Sequence, residues 1–248
     1  MSRLVLLIFV SIPLFAFSQS DIPVYKKLSL GVSFEVNYVN RFLRHDQSLK
    51  YVQGFPDING VGKMGGVVGL NLDYTLTPDI SLGTGLLFSD RGYATKMTEL
   101  IWVSPDEAYP THSKTVFTSY FFEIPLKVKY NFHIANVGMY VTGGPSIGQL
   151  IYSKTSVFTY FRDTREKAVS NKIGDGYTNN VLSFHIGVGF DVPISHRFRV
   201  SIEPLYRQTL TSLSHHSESK RYFHSFGLNT NLFLRFKKKT YGINRSEY

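Results

Sequence analysis

The sequence predicts an all-β protein, an eight-stranded antiparallel up-and-down barrel. Three observations predict it: eight segments alternate apolar and polar residues with period 2, the connections between them alternate long and short, and the 248-residue chain contains no Cys. A period of 2 places successive side chains on opposite faces of a strand. A chain without disulfides must hold its shape through a large core or a closed hydrogen-bonded sheet.

The segments are taken in order. In "LSLGVSFEVNY", Leu28, Leu30, Val32, Phe34, Val36 and Tyr38 oppose Ser29, Gly31, Ser33, Glu35 and Asn37. In "VVGLNLDYTL", Val68, Leu70, Leu72, Tyr74 and Leu76 oppose Gly69, Asn71, Asp73 and Thr75. The third, "ISLGTGLLFS", sets Ile80, Leu82, Thr84, Leu86 and Phe88 against Ser81, Gly83, Gly85 and Ser89, with Leu87 as an exception. The fourth, "YFFEIPLKVKY", fails as a helix because Pro125 sits in its interior. As a strand it separates Tyr120, Phe122, Ile124, Leu126, Val128 and Tyr130 from Phe121, Glu123, Pro125, Lys127 and Lys129, with a bulge or slipped bond expected at Pro125. The fifth, "VGMYVTGGPSIG", leads from Val137, Met139 and Val141 into a Gly-Gly-Pro stretch expected to bend. In "LSFHIGVGFDV", Leu182, Phe184, Ile186, Val188, Phe190 and Val192 oppose Ser183, His185, Gly187, Gly189 and Asp191. In "FRVSIEPLYR", Phe198, Val200, Ile202 and Tyr206 oppose Arg199, Ser201, Glu203 and Arg207. The last, "FGLNTNLFLRF", sets Phe226, Leu228, Thr230, Leu232, Leu234 and Phe236 against Gly227, Asn229, Asn231 and Arg235. None of the eight apolar faces carries a charge.

Short turns fall at Thr77 to Asp79, Asn131 to Asn136 and Pro193 to Arg197. Longer loops are expected at about Val39 to Lys63, Asp90 to Thr115, Ser153 to Asn180 and Gln208 to Tyr222. The alternation is that of a meander with both ends on the short-turn side. Such a meander is either a soluble lipocalin-like barrel, apolar inside, or a transmembrane β-barrel of the outer-membrane type with its faces exchanged. Small residues on the polar faces, among them Gly83, Gly85, Gly187, Gly189, Ser29 and Ser33, suit a narrow interior and not a soluble exterior. Aromatic residues close the apolar faces at Tyr38, Tyr74, Phe88, Tyr120, Tyr130, Phe198, Tyr206 and Phe236, as girdles at two bilayer interfaces do. Each segment supplies about ten residues, the length of a tilted transmembrane strand. The membrane barrel is therefore the expected form.

Residues 1–18, "MSRLVLLIFVSIPLFAFS", read as a signal peptide: Arg3 precedes an apolar run from Leu4 to Phe17, with small residues at Ala16 and Ser18 and cleavage expected between Ser18 and Gln19. The run is short for a spanning helix and Pro13 interrupts it. The barrel domain is expected over 19–236, and a basic periplasmic tail over 237–248. The net charge is +9, or +8 once Arg3 leaves with the signal. An exported chain seldom meets nucleic acid, so no nucleic-acid partner is expected and the charge is assigned to solvated loops and to lipid head groups.

The polar faces bring Glu35, Asp73, Glu123, Asp191 and Glu203 together with Lys127, Lys129, Arg199, Arg207 and Arg235 inside a barrel barely wide enough for side chains. A structural ion network filling that lumen is the expectation. Other candidate chemistry is weak. His215, His216, Ser217 and Glu218 are adjacent in one loop and cannot take the geometry of nucleophile, base and orienter, which comes from separated elements. The same His pair lacks the further placed ligands that a selective metal site needs. His185 is read as a lumen residue satisfied by its surroundings, and Gly143, Gly144 and Gly148 precede no helix that would make them a phosphate loop. No catalytic residue, metal or cofactor is expected. Trp102, Phe158, Tyr160, Phe161 and Arg162 are the candidates for interaction through loops, because aromatic residues and Arg together favour binding surfaces.

The runs "FFEIPLKVKYNF", "VGMYVTGGPSIGQLI", "FRVSIEPLYRQTL" and "FGLNTNLFLRF" together resemble the outer-membrane β-barrel domain proteins of the PorT-like family. The aromatic-Glu-Ile-Pro-Leu-x-x-Lys-Tyr pattern from Phe122 to Tyr130 is the most specific part. The resemblance implies an integral barrel of a Gram-negative outer membrane, and its founding members assist protein secretion and surface export. The tail "KKKTYGINRSEY" departs from barrels that end on their last aromatic residue. The expected role is a structural or interaction scaffold whose partners are outer-membrane lipid and other envelope or secretion-system proteins, met through the loops or the tail. A small-solute pore, a lipid-modifying hydrolase and a soluble binding barrel are the alternatives.

Overall fold

In the computed structural model the described residues are 28–45, 60–103, 108–134, 137–172, 178–213 and 219–236. The expected signal peptide, the tail from 237 to 248 and the cluster His215 to Glu218 lie outside them. Eleven strands are described: β1 (Leu28–His45), β2 (Gly60–Val61), β3 (Lys63–Thr75), β4 (Ile80–Thr95), β5 (Thr98–Glu99), β6 (His112–Ile134), β7 (Val137–Tyr160), β8 (Arg165–Lys172), β9 (Asn180–Pro193), β10 (Phe198–Thr209) and β11 (Ser219–Arg235). Eight of them close a ring in the order β1-β3-β4-β6-β7-β9-β10-β11, each pair antiparallel. The closing ladder pairs β1 with β11 from Ser29↔Arg235 to His45↔Ser219, so the ring has no free edge.

The two faces sort as the period-2 reading requires. Leu30, Val32, Phe34, Leu70, Phe122, Ile124, Leu126, Val128, Ile186 and Leu232 are exposed on the outside. Ser29, Ser33, Glu35, Asn37, Asn71, Glu123, Ser183, His185, Ser201, Glu203, Asn229 and Asn231 are buried within. A soluble barrel has the reverse arrangement, so the lipocalin-like alternative is excluded.

Tyr120 and Tyr130 bound the outward row of β6. They are ten residues apart, which is ~33 Å of strand at ~3.3 Å per residue and ~25 Å of height at a ~40° tilt, the thickness of an apolar band. An upper belt gathers Tyr38, Phe226 and Tyr206 on paired rungs, and Phe88, Tyr120 and Tyr152 in a stack with ring centroids 5.7 and 4.5 Å apart. A lower belt holds Tyr74, Tyr130 and Phe198, exposed near the short turns.

The structure corrects two expectations. Among the described residues the long connections are largely strand: β6 and β7 pair from Ile134↔Val137 up to His112↔Tyr160, eight residues beyond the Tyr120↔Tyr152 rung of the belt. β2 and β5 add short ladders to β4 and β6, and β8 adds an eight-rung ladder to β7. Their residues continue to alternate, and backbone groups that find partners across a ladder need not become loop.

The second correction concerns Pro125, where the sequence predicts a bulge or a slipped bond. The β4–β6 ladder stops at Thr84↔Leu126 and resumes at Leu87↔Glu123 in the same register. Pro145 and Pro204 sit in similar gaps, between Pro125↔Ser146 and Val128↔Gly143, and between Ile202↔Phe190 and Leu205↔Gly187. A missing N–H leaves a rung unmade without displacing the strand. The one register shift between β6 and β7 falls at Tyr120/Phe121, where Ile151 is the extra residue. Gly144, beside Pro145, has φ of 156°, and a methyl there would collide with the Leu126 carbonyl.

Leu70→Arg, in the middle of the lipid-facing row, is expected to destabilise the barrel by ~2–4 kcal/mol in a refolding titration into lipid vesicles. Asn71→Arg, one residue along and inside, should act by crowding the lumen. Equal tolerance of both would mean that the faces are reversed.

Candidate functional site: a braced lumen and a strand overhang

Alternation delivers charges to the lumen at fixed heights, and their order from the short turns upward is the order of the strands' inward residues. Near the short turns Arg199 spreads its two terminal nitrogens over two carboxylates, Asp73 at 3.0 Å and Asp191 at 2.8 Å. Asp191 also receives Lys129 at 3.1 Å and the Ser201 hydroxyl. The Lys129 ammonium lies 3.6 Å from the centre of the Tyr140 ring, and the Tyr140 hydroxyl donates to Glu203 at 3.1 Å. Gly189 makes room for that ring, since a side-chain carbon there would overlap it.

One level higher is a chain of four charges. Arg207 donates to Glu35 at 3.0 Å and stands 3.8 Å from Glu123, while Arg91 donates to Glu123 at 2.5 Å and to the Ser183 hydroxyl at 3.0 Å. Ser89 also donates to Glu123, and the Asn37 amide holds the other oxygen of Glu35 at 2.7 Å. The side chains of Glu35 and Glu123 are each 2% exposed. Ions so far from water persist only when paired and hydrogen-bonded. Hydrogen bonds among the inward amides and hydroxyls add bracing, with Asn71 donating to Asn231 at 2.6 Å and Ser33 to Asn229 on the neighbouring strand at 2.9 Å.

Above the charges the lumen becomes apolar. Val39, Tyr93, Phe121, Val181 and Phe223 point inward from five strands and meet Leu213, which the loop before β11 tucks into the barrel. Leu213 is held by its own backbone, donating to the Arg221 carbonyl at 2.9 Å and accepting from Thr178 at 3.0 Å. The layer lies over the ion chain and excludes water from it. Near the short turns a cavity of about 20 Å³ is lined by Asn71, Asp73, Lys127, Tyr140 and Glu203 among others, roughly the space of one water.

Eight of the ten predicted network residues share hydrogen bonds or ion pairs: Glu35, Asp73, Glu123, Lys129, Asp191, Arg199, Glu203 and Arg207. Among the described residues Lys127 and Arg235 take no ion pair, which corrects their assignment. Arginine forks engage two carboxylates at once, so Arg199 and Arg207 between them take Asp73, Asp191, Glu35 and Glu123. Glu203 takes a phenol hydrogen bond in place of an ion pair.

Arg91 and Leu213 are lumen residues that the period-2 segments do not include. Arg91 was placed in a loop because the third segment was ended at Ser89; the odd-numbered series Ser89, Arg91, Tyr93 carries the signal, since all three are buried. Leu87, an exception to the outward rule, is a lumen residue at 3% exposure.

The candidate interaction residues fall into two places, neither of them a free loop tip throughout. Phe158 and Tyr160 are rungs of β7, while Phe161 and Arg162 begin the turn into β8, closed by a hydrogen bond from Phe161 N–H to the Thr164 carbonyl at 2.9 Å. Trp102 donates its indole N–H to the Pro110 carbonyl at 2.7 Å and packs on Tyr109 with ring centroids 5.0 Å apart. It pins its own connection together.

A closed ring with an apolar belt outside and paired charges inside defines an integral β-barrel of the outer membrane. The chain belongs to the outer membrane protein beta-barrel domain family, whose model matches residues 17–214. The family places it in the outer membrane. Among solved structures it is similar to Neisserial surface protein A, at 12% identity over 84% of this chain and 97% of that one, with a TM-score of 0.39. It is similar also to OprG from Pseudomonas aeruginosa, at 11% identity over 88% and 100% of the two chains with a TM-score of 0.40, and to Ail of Yersinia pestis, at 13% over 84% and 99% with a TM-score of 0.32. A search of curated proteins finds no match.

Glu123→Ala removes the acceptor of Arg91 and Ser89 and an ion partner of Arg207, and is expected to cost ~3–5 kcal/mol in a denaturant refolding titration. Arg235→Ala, which breaks no ion pair, should cost less than about 1 kcal/mol by the same measurement. Similar costs for the two would show that the chain of four charges does not brace the barrel.

Proposed function

We propose that the protein is a non-catalytic scaffold of the outer membrane, a closed barrel that anchors an interaction surface carried by the strand overhang above the bilayer. The observation that carries this reading is the blocked lumen: two tiers of interlocked charges lie beneath an apolar layer sealed by Leu213. A small-solute pore needs a continuous aqueous path, and here two levels are spanned by side chains bonded across the barrel and the third is filled by packed apolar ones. The process served is assistance to protein secretion or surface export, which the PorT-like resemblance of the Phe122 to Tyr130 pattern supports. Envelope proteins are the proposed partners.

Planar-bilayer recording of the purified barrel tests the reading. No steady conductance is expected from the parent protein, whereas a large, continuous current would overturn it in favour of a pore.

A further inference from the structure

The overhang has a side that faces away from the barrel axis, and its residues can be counted upward from the belt. Ser119 and Ser153 face inward, hydroxyl to hydroxyl at 3.0 Å, so their neighbours Tyr120 and Tyr152 face outward. The outward rungs above that tyrosine pair are Thr118↔Lys154, then Val116↔Ser156↔Val169, then Lys114↔Phe158↔Lys167, then His112↔Tyr160↔Arg165. Four cations, Lys114, Lys154, Arg165 and Lys167, therefore share one face. Two carboxylates border it, Glu99 opposite His112 on β5 and Asp90 opposite Tyr120 on β4, the latter paired with Lys63; Glu166 is opposite Thr159 and belongs to the other side.

The upper cations are held over aromatic rings. The Arg165 guanidinium lies 4.3 Å from the centre of the Phe158 ring and 5.5 Å from that of Tyr160, and the Lys167 ammonium 5.4 Å from Phe158. Cation–π contact fixes the position of a cation while leaving its N–H donors free for an anion. Arg165 and Lys167 are exposed.

Height selects the anion. At ~3.3 Å per residue and a ~40° tilt, Lys154 lies ~5 Å above the belt and Lys114, Lys167 and Arg165 ~15–20 Å above it. The head-group zone of a simple phospholipid is only ~5–8 Å deep on each side of the hydrocarbon. Lys154 alone would reach its phosphate. A row of cations continuing to ~20 Å matches a lipid whose head group is tall and carries several anionic groups. We propose that this face of β6, β7 and β8 is a docking surface for the multiply phosphorylated sugar head group of an outer-leaflet glycolipid. The proposal rests on the outer-membrane placement and not on the scaffold role, so either can fail without the other.

The test uses the full barrel in phosphatidylcholine nanodiscs doped equally with a purified rough-type lipopolysaccharide and phosphatidylglycerol, with retained lipid counted by native mass spectrometry. The parent should retain the glycolipid at least tenfold over phosphatidylglycerol. The combined variant K114Q/K154Q/R165Q/K167Q should lose that preference, and Arg197→Gln with Lys220→Gln, elsewhere on the barrel, should keep it. Lys154→Gln alone should weaken retention of both lipids about fivefold, the effect of one cation near a charged surface. The heat-shifted gel band reports whether each variant is folded; if the combined variant is not, Arg165→Gln and Lys167→Gln singly carry the test, each lowering glycolipid retention about fivefold and leaving phosphatidylglycerol unchanged. Equal retention of the two lipids by the parent would overturn the proposal, as would equal loss in the Arg197/Lys220 variant. So would heparin binding by the solubilised parent that the combined variant loses while its glycolipid retention stays intact, since the face would then serve a soluble polyanion.

Discussion

Inside a bilayer every backbone N–H and C=O must find its partner within the protein, and the ladder between β1 and β11 is what satisfies that demand here. Once the sheet closes with eight strands, much else is fixed. The circumference leaves an interior about as wide as the side chains that fill it. Polar residues on the inner face then have to find one another, because there is little room for water to solvate them singly. Closure also frees the sheet from defending an edge, so three prolines can sit within its ladders at the loss of a few rungs.

The lumen shows how a narrow interior disciplines charge. Arginines, with planar forks, act as the connectors: Arg199 joins Asp73 to Asp191, Arg207 joins Glu35 to Glu123, and Arg91 completes the second chain. Lysines are peripheral to this wiring, Lys129 serving one carboxylate and Lys127 none among the described residues. The tier nearest the outer surface is apolar, which keeps the pairs beneath it in a low-dielectric setting where breaking one is costly. Stability and closure of the passage thus have one origin.

Most of the ring was legible in the sequence because a membrane barrel writes its two solvents into a single alternation. Each inward and outward assignment from Leu28 to Tyr38, or from Leu182 to Val192, follows from one rule applied repeatedly. The rule was stopped too early at Ser89 and at Gln208, where aromatic and small polar residues replaced the aliphatic row. Above the bilayer the outer face no longer meets lipid, so the contrast between faces fades while the hydrogen-bonded ladder continues. For that reason Arg91 escaped notice and β8 was read as loop, while Leu213 lies in the connection after β10, where no alternation marks it. Which carboxylate each arginine would choose was not legible either, since it depends on the stagger of strands far apart in sequence, as for Arg207 and Glu35, 172 residues apart.

The overhang of β6 and β7 past the aromatic belt has a mechanical meaning. A flexible connection of the same length would spend conformational entropy each time it settled against another molecule. Here the residues from His112 to Thr118 and from Lys154 to Tyr160 are already set in a paired ladder. The barrel thus behaves as a foundation and the overhang as a stiff mast, holding its side chains at a constant distance from the membrane plane whether or not anything is bound.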